Sequence, residues 1–154
     1  MKKQALKSKL IYLDACSLCR PFDDQRYLRI RLESEATKLI LENVRNQKLN
    51  LAISPVHRIE IGAIPDLIER IEILSLLDNF GELVKVDMAK VRVKAERLVD
   101  NGYGVADAAH VAFAESAGAD FVTCDDRLLK RCLKSDLKIW CGDPLQFCFK
   151  ENLK

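Results

Sequence analysis

Acidic side chains stand directly after two short apolar runs of the sequence. Asp14 follows residues 10–13, and the adjacent pair Asp125 and Asp126 follows residues 121–124. A carboxylate at the end of a buried strand costs free energy unless a partner compensates its charge, and a divalent cation is a common partner. One such residue is explained as readily by solvation in a loop or by helix capping, and Asp126 could cap a helix over residues 127–133. Because two strand ends share the feature, it favours a metal site.

Two further carboxylates lie on predicted helices. Asp107 falls in the first turn of a helix over residues 106–117, where the helix dipole alone favours a negative charge. Its small apolar neighbours, Ala106 and Ala108, indicate a helix start that packs closely against a sheet. Glu60 taken by itself is most simply a charge on the surface of a helix.

The elements that must position these residues alternate along the chain. Short apolar strands are predicted at residues 10–13, 51–53, 83–86, 121–124 and 137–140. Between and after them the spacing of apolar residues predicts helices over residues 27–45, from 54 onward, 65–79, 88–98, 106–117 and 128–133, with a tail helix after Pro144. This alternation is typical of an α/β sandwich around a mainly parallel sheet, in which ligands bind at the carboxyl ends of the strands.

Composition indicates one folded domain. The chain has 154 residues, 49% of them hydrophobic and 31% charged, and a chain of this length buries roughly 70% of its unfolded surface. No stretch approaches the roughly 18 apolar residues of a membrane helix, and no secretory signal is visible. We therefore expect a cytoplasmic protein without a membrane partner, with a basic N-terminal extension at residues 1–9 and a single domain at residues 10–150. The net charge of only +2 means that nucleic-acid binding would have to come from a local site.

Four segments together resemble the PIN domain, and more narrowly the VapC-like ribonuclease toxins. The segments are IYLD at residues 11–14, SPVHRIE at 54–60, DAAHVAFA at 107–114 and GADFVTCD at 118–125. The third and fourth segments are specific when taken together, whereas the first alone is weak. The resemblance spans residues 10–145, and it implies a PIN-like three-layer sandwich with a central, mainly parallel sheet flanked by helices.

The resemblance implies a ribonuclease that uses one or two Mg²⁺ or Mn²⁺ ions to hydrolyse phosphodiester bonds by a metal-activated water, leaving 5′-phosphate and 3′-hydroxyl ends. The acidic quartet would be both catalytic and metal-binding, with Asp126 able to replace or supplement its neighbour; the quartet is Asp14, Glu60, Asp107 and Asp125. Carboxylate oxygens suit these hard ions, whereas a zinc site would favour His and Cys.

Residues around the quartet receive supporting roles from the same resemblance. Thr123 would position water or a phosphate, and Ser17 could serve where many members of the family carry Asn or Ser but this chain has Cys16. His110 lies on roughly the same helix face as Asp107 and is expected to support a metal ligand rather than to act as a general base. Arginines after the first strand could contact RNA phosphates, although such a cluster is more often a solvated helix face; they include Arg20 and Arg26.

The resemblance also implies partners: an RNA substrate, a cognate antitoxin and a second copy of the chain in a homodimer. Two other functions stay open. One is a PIN-like RNA-binding module without catalysis, although no acidic position is missing here. The other is a thiol-disulfide oxidoreductase that uses Cys16 and Cys19, which stand after the first strand as in a thioredoxin site. The six cysteines are otherwise expected to be reduced thiols.

Overall fold

The computed structural model describes residues 9–154, and their strands form one parallel sheet. The strand order across the sheet is β3-β2-β1-β4-β5, with every neighbouring pair parallel. The strands are β1 (Lys9–Leu13), β2 (Leu49–Ile53), β3 (Gly81–Leu83), β4 (Asp120–Val122) and β5 (Cys141–Gly142). Because β1 and β4 are central neighbours, the residues that follow them meet at the same edge of the sheet.

Helices cover both faces of the sheet. Their bounds are α1 (Ala15–Cys19), α2 (Leu28–Arg45), α3 (Pro55–Gly62), α4 (Leu67–Phe80), α5 (Met88–Asp100), α6 (Val105–Ala117), α7 (Asp126–Lys134) and α8 (Pro144–Lys150). A short 3₁₀ helix, Arg20–Phe22, follows α1. The expected three-layer α/β sandwich is confirmed.

Side chains of the central strands alternate between two hydrophobic cores, as the pleat of a strand requires. Ile11 and Leu13 of β1 point into a core formed with α1, α2, α3, α4 and α8. Tyr12, the residue between them, points into a second core formed with α5, α6 and α7. Both cores are buried, which explains why β1 is a nearly continuous apolar run.

Two edge strands lie at different residues from those expected. The third strand was expected at residues 83–86, but β3 begins at Gly81, which pairs with Leu51. The fifth was expected at residues 137–140, but β5 is Cys141–Gly142 and only the carbonyl of Trp140 already joins the sheet, by accepting from Phe121 N–H at 2.9 Å. Apolar residues of both runs pack on the second core and Trp140 packs on the first, so hydrophobicity marks burial there rather than strand pairing.

The structure on either side of the first strand differs from what the sequence predicted. Helix α1 and the 3₁₀ helix were not expected, because eight residues are too few to show helical periodicity. The predicted N-terminal extension lies outside the described residues except for Lys9, which begins β1 and forms ion pairs with Asp120 and Glu151. Within residues 9–154, no helix is long and apolar enough to cross a membrane.

Candidate active site

Asp14 is a buried carboxylate at the carboxyl end of β1. Its side chain is only 3% exposed, and one of its oxygens accepts from the backbone N–H of Ser17 at 3.0 Å, which caps the start of α1. The thiol of Cys16 lies 3.0 and 3.1 Å from the two carboxylate oxygens. The local chain therefore turns from strand to helix around this carboxylate and holds it in place.

Thr123 stands beside Asp14 because β1 and β4 pair in parallel with Leu13 opposite Val122. Its hydroxyl accepts from the backbone N–H of Asp125 at 3.0 Å and lies 3.5 Å from the Cys16 sulfur. Ser17 is fully buried and donates to the carbonyl of Val122 at 3.3 Å. Both hydroxyls lie at the strand end, and each forms a hydrogen bond with the backbone there.

Asp107 is half-buried in the first turn of α6. Within residues 9–154 its carboxylate has no hydrogen bond or ion pair. Burial raises the pKa of Asp107, and the negative charges of Asp14, Asp125 and Glu60 raise it further. The charges of the other three members of the predicted quartet therefore all act on Asp107.

Glu60 is linked to the interior by a chain of side-chain hydrogen bonds. Its Oε1 pairs with Nε2 of His110, and Nδ1 of His110 lies 2.5 Å from the hydroxyl of Tyr12. That hydroxyl lies 2.7 Å from Oγ of Ser54. The hydrogen bond with His110 lowers the pKa of Glu60, so α3, α6 and β1 cooperate to hold an ionised carboxylate in one orientation.

His57 is a second histidine of this region and has a fixed tautomer. Its Nδ1 accepts from the backbone N–H of Ser54 at 3.0 Å, so the proton is on Nε2, which donates to the carbonyl of Leu13 at 2.7 Å. Burial and, to a smaller extent, the nearby His110 lower the pKa of His57 to about 4. The ring is neutral and joins the start of α3 to the end of β1.

Asp125 and Asp126, which the sequence could not distinguish, have different partners. Asp125 caps α7 by accepting from the backbone N–H groups of Arg127 and Leu128 at 2.9 and 3.1 Å. Asp126 forms a two-pronged ion pair with Arg29, with N–O distances of 2.7 and 2.5 Å. Asp125 is the one whose charge raises the pKa of Asp107.

The two arginines considered for RNA contact are also paired. Arg20 lies 3.0 Å from a carboxylate oxygen of Asp23 and 3.6 Å from one of the buried Glu33. Arg26 is exposed and pairs with Asp24 at 2.6 Å. Their charges are therefore largely compensated within the protein.

Sequence reasoning missed Tyr12, Ser54 and His57. Tyr12 looked like an ordinary apolar strand residue, and Ser54 like a plain helix cap. A tyrosine that precedes a strand-end aspartate by two residues points to the same side of the sheet as that aspartate, and this periodicity was the available signal.

The carboxylates fit a divalent cation by their chemistry and by their mutual repulsion. Hard oxygen donors suit Mg²⁺ or Mn²⁺, and a bound cation would relieve the repulsion that raises the pKa of Asp107. In the described part of the chain, no three Asp, Glu, His or Cys side chains stand close enough to hold an ion between them as they are oriented. Cation binding would therefore require side chains of the quartet, such as that of Asp125, to reorient.

Comparison with known protein families gives one match. The family model described as PIN domain matches residues 11–133, most of the chain. A search of curated proteins found no match.

Solved structures share this architecture at low sequence identity. PAE2754 from Pyrobaculum aerophilum superposes with a TM-score of 0.58 and 17% identity, covering 96% of this chain and 92% of that one. VapBC2 from Rickettsia felis, bound to a DNA fragment from their promoter, gives 0.56 and 14%, covering 87% and 98%. FitAcB from Neisseria gonorrhoeae gives 0.54 and 16%, covering 88% and 98%. These similarities show a shared fold.

Proposed function

The chain belongs to the PIN domain family, a family of nucleases, and from this premise we propose that it is a divalent-metal-dependent endoribonuclease. The observation that carries the proposal is that Asp14 and Asp125 follow the neighbouring parallel strands β1 and β4, and that burial and these charges together raise the pKa of Asp107. Acidic groups at the carboxyl end of a parallel sheet suit a cation-assisted reaction at a phosphodiester.

Four carboxylates would hold the cation: Asp14, Glu60, Asp107 and Asp125. Mg²⁺ or Mn²⁺, when bound, supplies water of lowered pKa and neutralises charge on the phosphate. Asp126 supports the site from its ion pair with Arg29, and Thr123 orients the phosphate or the attacking water at the strand end. Ser17 fixes the backbone that carries Asp14.

His110 contributes as a positioning residue. Because its Nε2 pairs with Glu60 Oε1, the carboxylate is held in one orientation and its second oxygen is left for a cation. The Tyr12 hydroxyl holds the other side of the ring. The histidine needs no proton transfer of its own in this arrangement.

In the cell, we propose, the protein acts as a VapC-like toxin that a cognate antitoxin restrains, as a homodimer in the cytoplasm. The similarity to structures described as VapBC2 and FitAcB supports this role. RNA is the proposed substrate, with Arg20 and Arg26 as minor contacts.

The two competing functions fit less well. A non-catalytic RNA-binding module would not need an ionised Glu60 locked by buried hydrogen bonds. An oxidoreductase needs a thiol of lowered pKa, whereas the pKa of Cys16 is strongly raised and that of Cys19 is raised to about 12.

Cleavage of a labelled RNA with Mn²⁺ or Mg²⁺, compared with EDTA and with Asp107→Asn, tests the proposal. We expect metal-dependent cutting that the variant loses by roughly 100-fold or more, since loss of even an outer support of a metal costs about 10- to 100-fold. We also expect Mn²⁺ to raise the melting temperature of the wild type much more than that of the variant.

The same variant has a second expected effect. Without metal, Asp107→Asn should melt at a higher temperature than the wild type near neutral pH, because it removes a repelled, partly buried charge. Absence of both metal binding and cleavage over a panel of single-stranded and structured RNAs would contradict the proposed function.

A further inference from the structure

Most arginines on the α2 side of the acidic quartet are already paired with carboxylates, and Arg31 donates to the backbone carbonyl of Gln25. Arg29 is paired with both Asp126 and Glu33, and Arg20 and Arg26 have carboxylate partners of their own. An ion pair must be broken before such a side chain can bind a phosphate. The charge that attracts a nucleic-acid strand should therefore lie elsewhere.

A basic pocket lies on the opposite face of the sheet. It has a volume of about 480 Å³ and is formed by the end of α5, the turn before α6 and the end of α7. Four cations line it, against the single carboxylate of Asp136. The cations are Lys94, Arg97, Arg131 and Lys134.

Most of this positive charge is uncompensated. Lys94 pairs with Glu115 at 3.0 Å. Within residues 9–154, the side chains of Arg97, Arg131 and Lys134 form no hydrogen bond or ion pair. All three stand in the last turn of a helix, where the helix dipole accommodates cations, yet none of them donates to a carbonyl. Their donors are free for an external anion.

Neutral hydrogen-bonding groups complete the lining. The hydroxyl of Tyr103 lies 2.7 Å from Oγ of Ser135, which donates to the carbonyl of Arg131 at 2.7 Å. The ring of Tyr103 is buried in the second core, so the pocket offers hydroxyl groups beside its cations, and such groups suit the phosphates and sugars of a nucleic-acid strand.

The pocket adjoins the acidic quartet through two helices. Asp125 caps the start of α7 and Arg131 lies six residues later, roughly 9 Å along the helix axis at 1.5 Å per residue. Tyr103 lies four residues before Asp107, separated from it by the N-cap of α6. A strand that enters the acidic site could therefore extend along α7 into the pocket.

We propose that this α5–α7 pocket binds backbone phosphates of the RNA next to the scissile bond, with Arg97 and Arg131 as the main contacts. The proposal rests on the RNA substrate proposed above. The protein needs such a local contact with the RNA strand, because its net charge of +2 provides little bulk attraction.

Binding of a short fluorescein-labelled single-stranded RNA in EDTA tests the pocket apart from cleavage. The test variant is Arg97→Gln/Arg131→Gln, and Arg97→Lys/Arg131→Lys keeps the charge. Arg45→Gln/Lys48→Gln is the matched control, because it removes two exposed cations, at the end of α2 and just after it, that form no ion pair within residues 9–154. Thermal unfolding verifies that all variants are folded.

We expect the glutamine pair in the pocket to weaken binding at least several-fold, and the control to change it little. The slope of log affinity against log salt should fall by about 1.4, since each phosphate contact to a single strand contributes about 0.7. The lysine pair should retain most of the affinity and the slope. In Mn²⁺, the glutamine pair should raise KM with kcat nearly unchanged.

Equal losses in the pocket variant and the control would overturn the proposal, as would an unchanged salt slope. Cutting of RNA with an unchanged KM in the pocket variant would overturn this inference and leave the ribonuclease intact. The opposite result is RNA binding that depends on the pocket in a protein that cuts no RNA with Mn²⁺. It would support the pocket and contradict the proposed catalysis.

Discussion

Glu60 of α3 and His110 of α6 are hydrogen-bonded partners, and their contact connects the candidate site to the sheet beneath it. The imidazole is 2% exposed, whereas the Glu60 side chain is 35% exposed. One face of the pair is therefore anchored in the core and the other faces the solvent from which a cation and substrate arrive. Tyr12 of β1 is the anchor.

Tyr12→Phe tests this anchor. The change leaves the ring in the core but removes a buried hydroxyl that contacts both His110 and Ser54. We expect a loss of about 1–3 kcal/mol in the free energy of unfolding, because buried polar atoms lose their partner. Affinity for Mn²⁺ should fall by about 10- to 100-fold, as for other groups that orient a metal ligand. Urea unfolding and calorimetric titration measure the two effects.

Tyr103→Phe is the matched control for that experiment. Tyr103 also donates or accepts at a serine hydroxyl, that of Ser135 at 2.7 Å, but it lies at the α5–α7 pocket. The Tyr103→Phe variant should lose some stability and keep its affinity for Mn²⁺. An equal drop in Mn²⁺ affinity in both variants would mean that Tyr12 acts through general stability alone.

His57 makes stability depend on pH in the acid range. Its pKa falls from 6.5 to about 4 on folding, so the unfolded chain binds more protons between these values and stability decreases as the pH falls through this window. The full effect is on the order of 3 kcal/mol. It is complete near pH 4 and absent above about pH 7.

His57→Gln isolates this effect. A glutamine at this position can accept from the Ser54 N–H and donate to the Leu13 carbonyl as His57 does, and it is a common residue at the third position of a capping box. Urea unfolding at pH 7 and pH 5 should show a smaller acid loss in the variant than in the wild type. Asp107 titrates in both proteins and cancels in the difference. Parallel losses would show that His57 stays neutral in both states or is not the titrating group.

The cysteine pair gives a prediction about reactivity. Burial and the charge of Glu69 raise the pKa of Cys19 to about 12, so only about one thiol in ten thousand is ionised at pH 8. The hydrogen bond with Cys124, burial and the charge of Asp14, which the Cys16 thiol contacts, together raise the pKa of Cys16. Iodoacetamide should therefore modify both far more slowly in the folded protein than in urea, as peptide mass spectrometry would show. Fast, selective labelling of Cys16 in the folded protein would contradict this prediction and support the oxidoreductase function.

Much of the fold was predictable because hydrophobic periodicity reports burial. The helix over residues 106–117 matches α6 closely and ends at Gly118, whose φ of +69° favours glycine. The third and fifth strands were misplaced because most apolar residues of 83–86 and 137–140 pack against the hydrophobic cores from loops. Pairing with a neighbouring strand depends on register, which a local pattern does not encode.

Less of the site than of the fold was predictable from the sequence. The order of acidic residues along the chain indicated which carboxylates could meet, and the parallel pairing of β1 with β4 accounts for the nearness of Asp14 and Thr123. What each side chain bonds to depends on tertiary neighbours far away in sequence. Asp126 pairs with Arg29, 97 residues earlier, and Tyr12 with His110, 98 residues later. Local spacing carries no information on such partners.

Gly81, where β3 begins, offers a test of the corrected strand position. A Cβ atom there would lie 2.6 Å from the carbonyl oxygen of Leu77 and 2.9 Å from side-chain atoms of Ile53. Because the carbonyl belongs to the backbone of α4, relief requires β3 or α4 to move. We expect Gly81→Ala to destabilise the protein by about 1–3 kcal/mol, which corresponds to about 2–4 °C in melting temperature for each kcal/mol.

Gly62→Ala is the opposite case and the control. Gly62 is the last residue of α3, and a Cβ atom there would meet nothing within 4 Å. Replacing a helical glycine in open space reduces the entropy of the unfolded chain, so we expect a gain of about 0.5–1 kcal/mol. Thermal and urea unfolding of both variants measure the contrast. A harmless Gly81→Ala would mean that the strand does not begin in the close contact described here, since no flexible side chain could yield to the new methyl group at the Leu77 carbonyl.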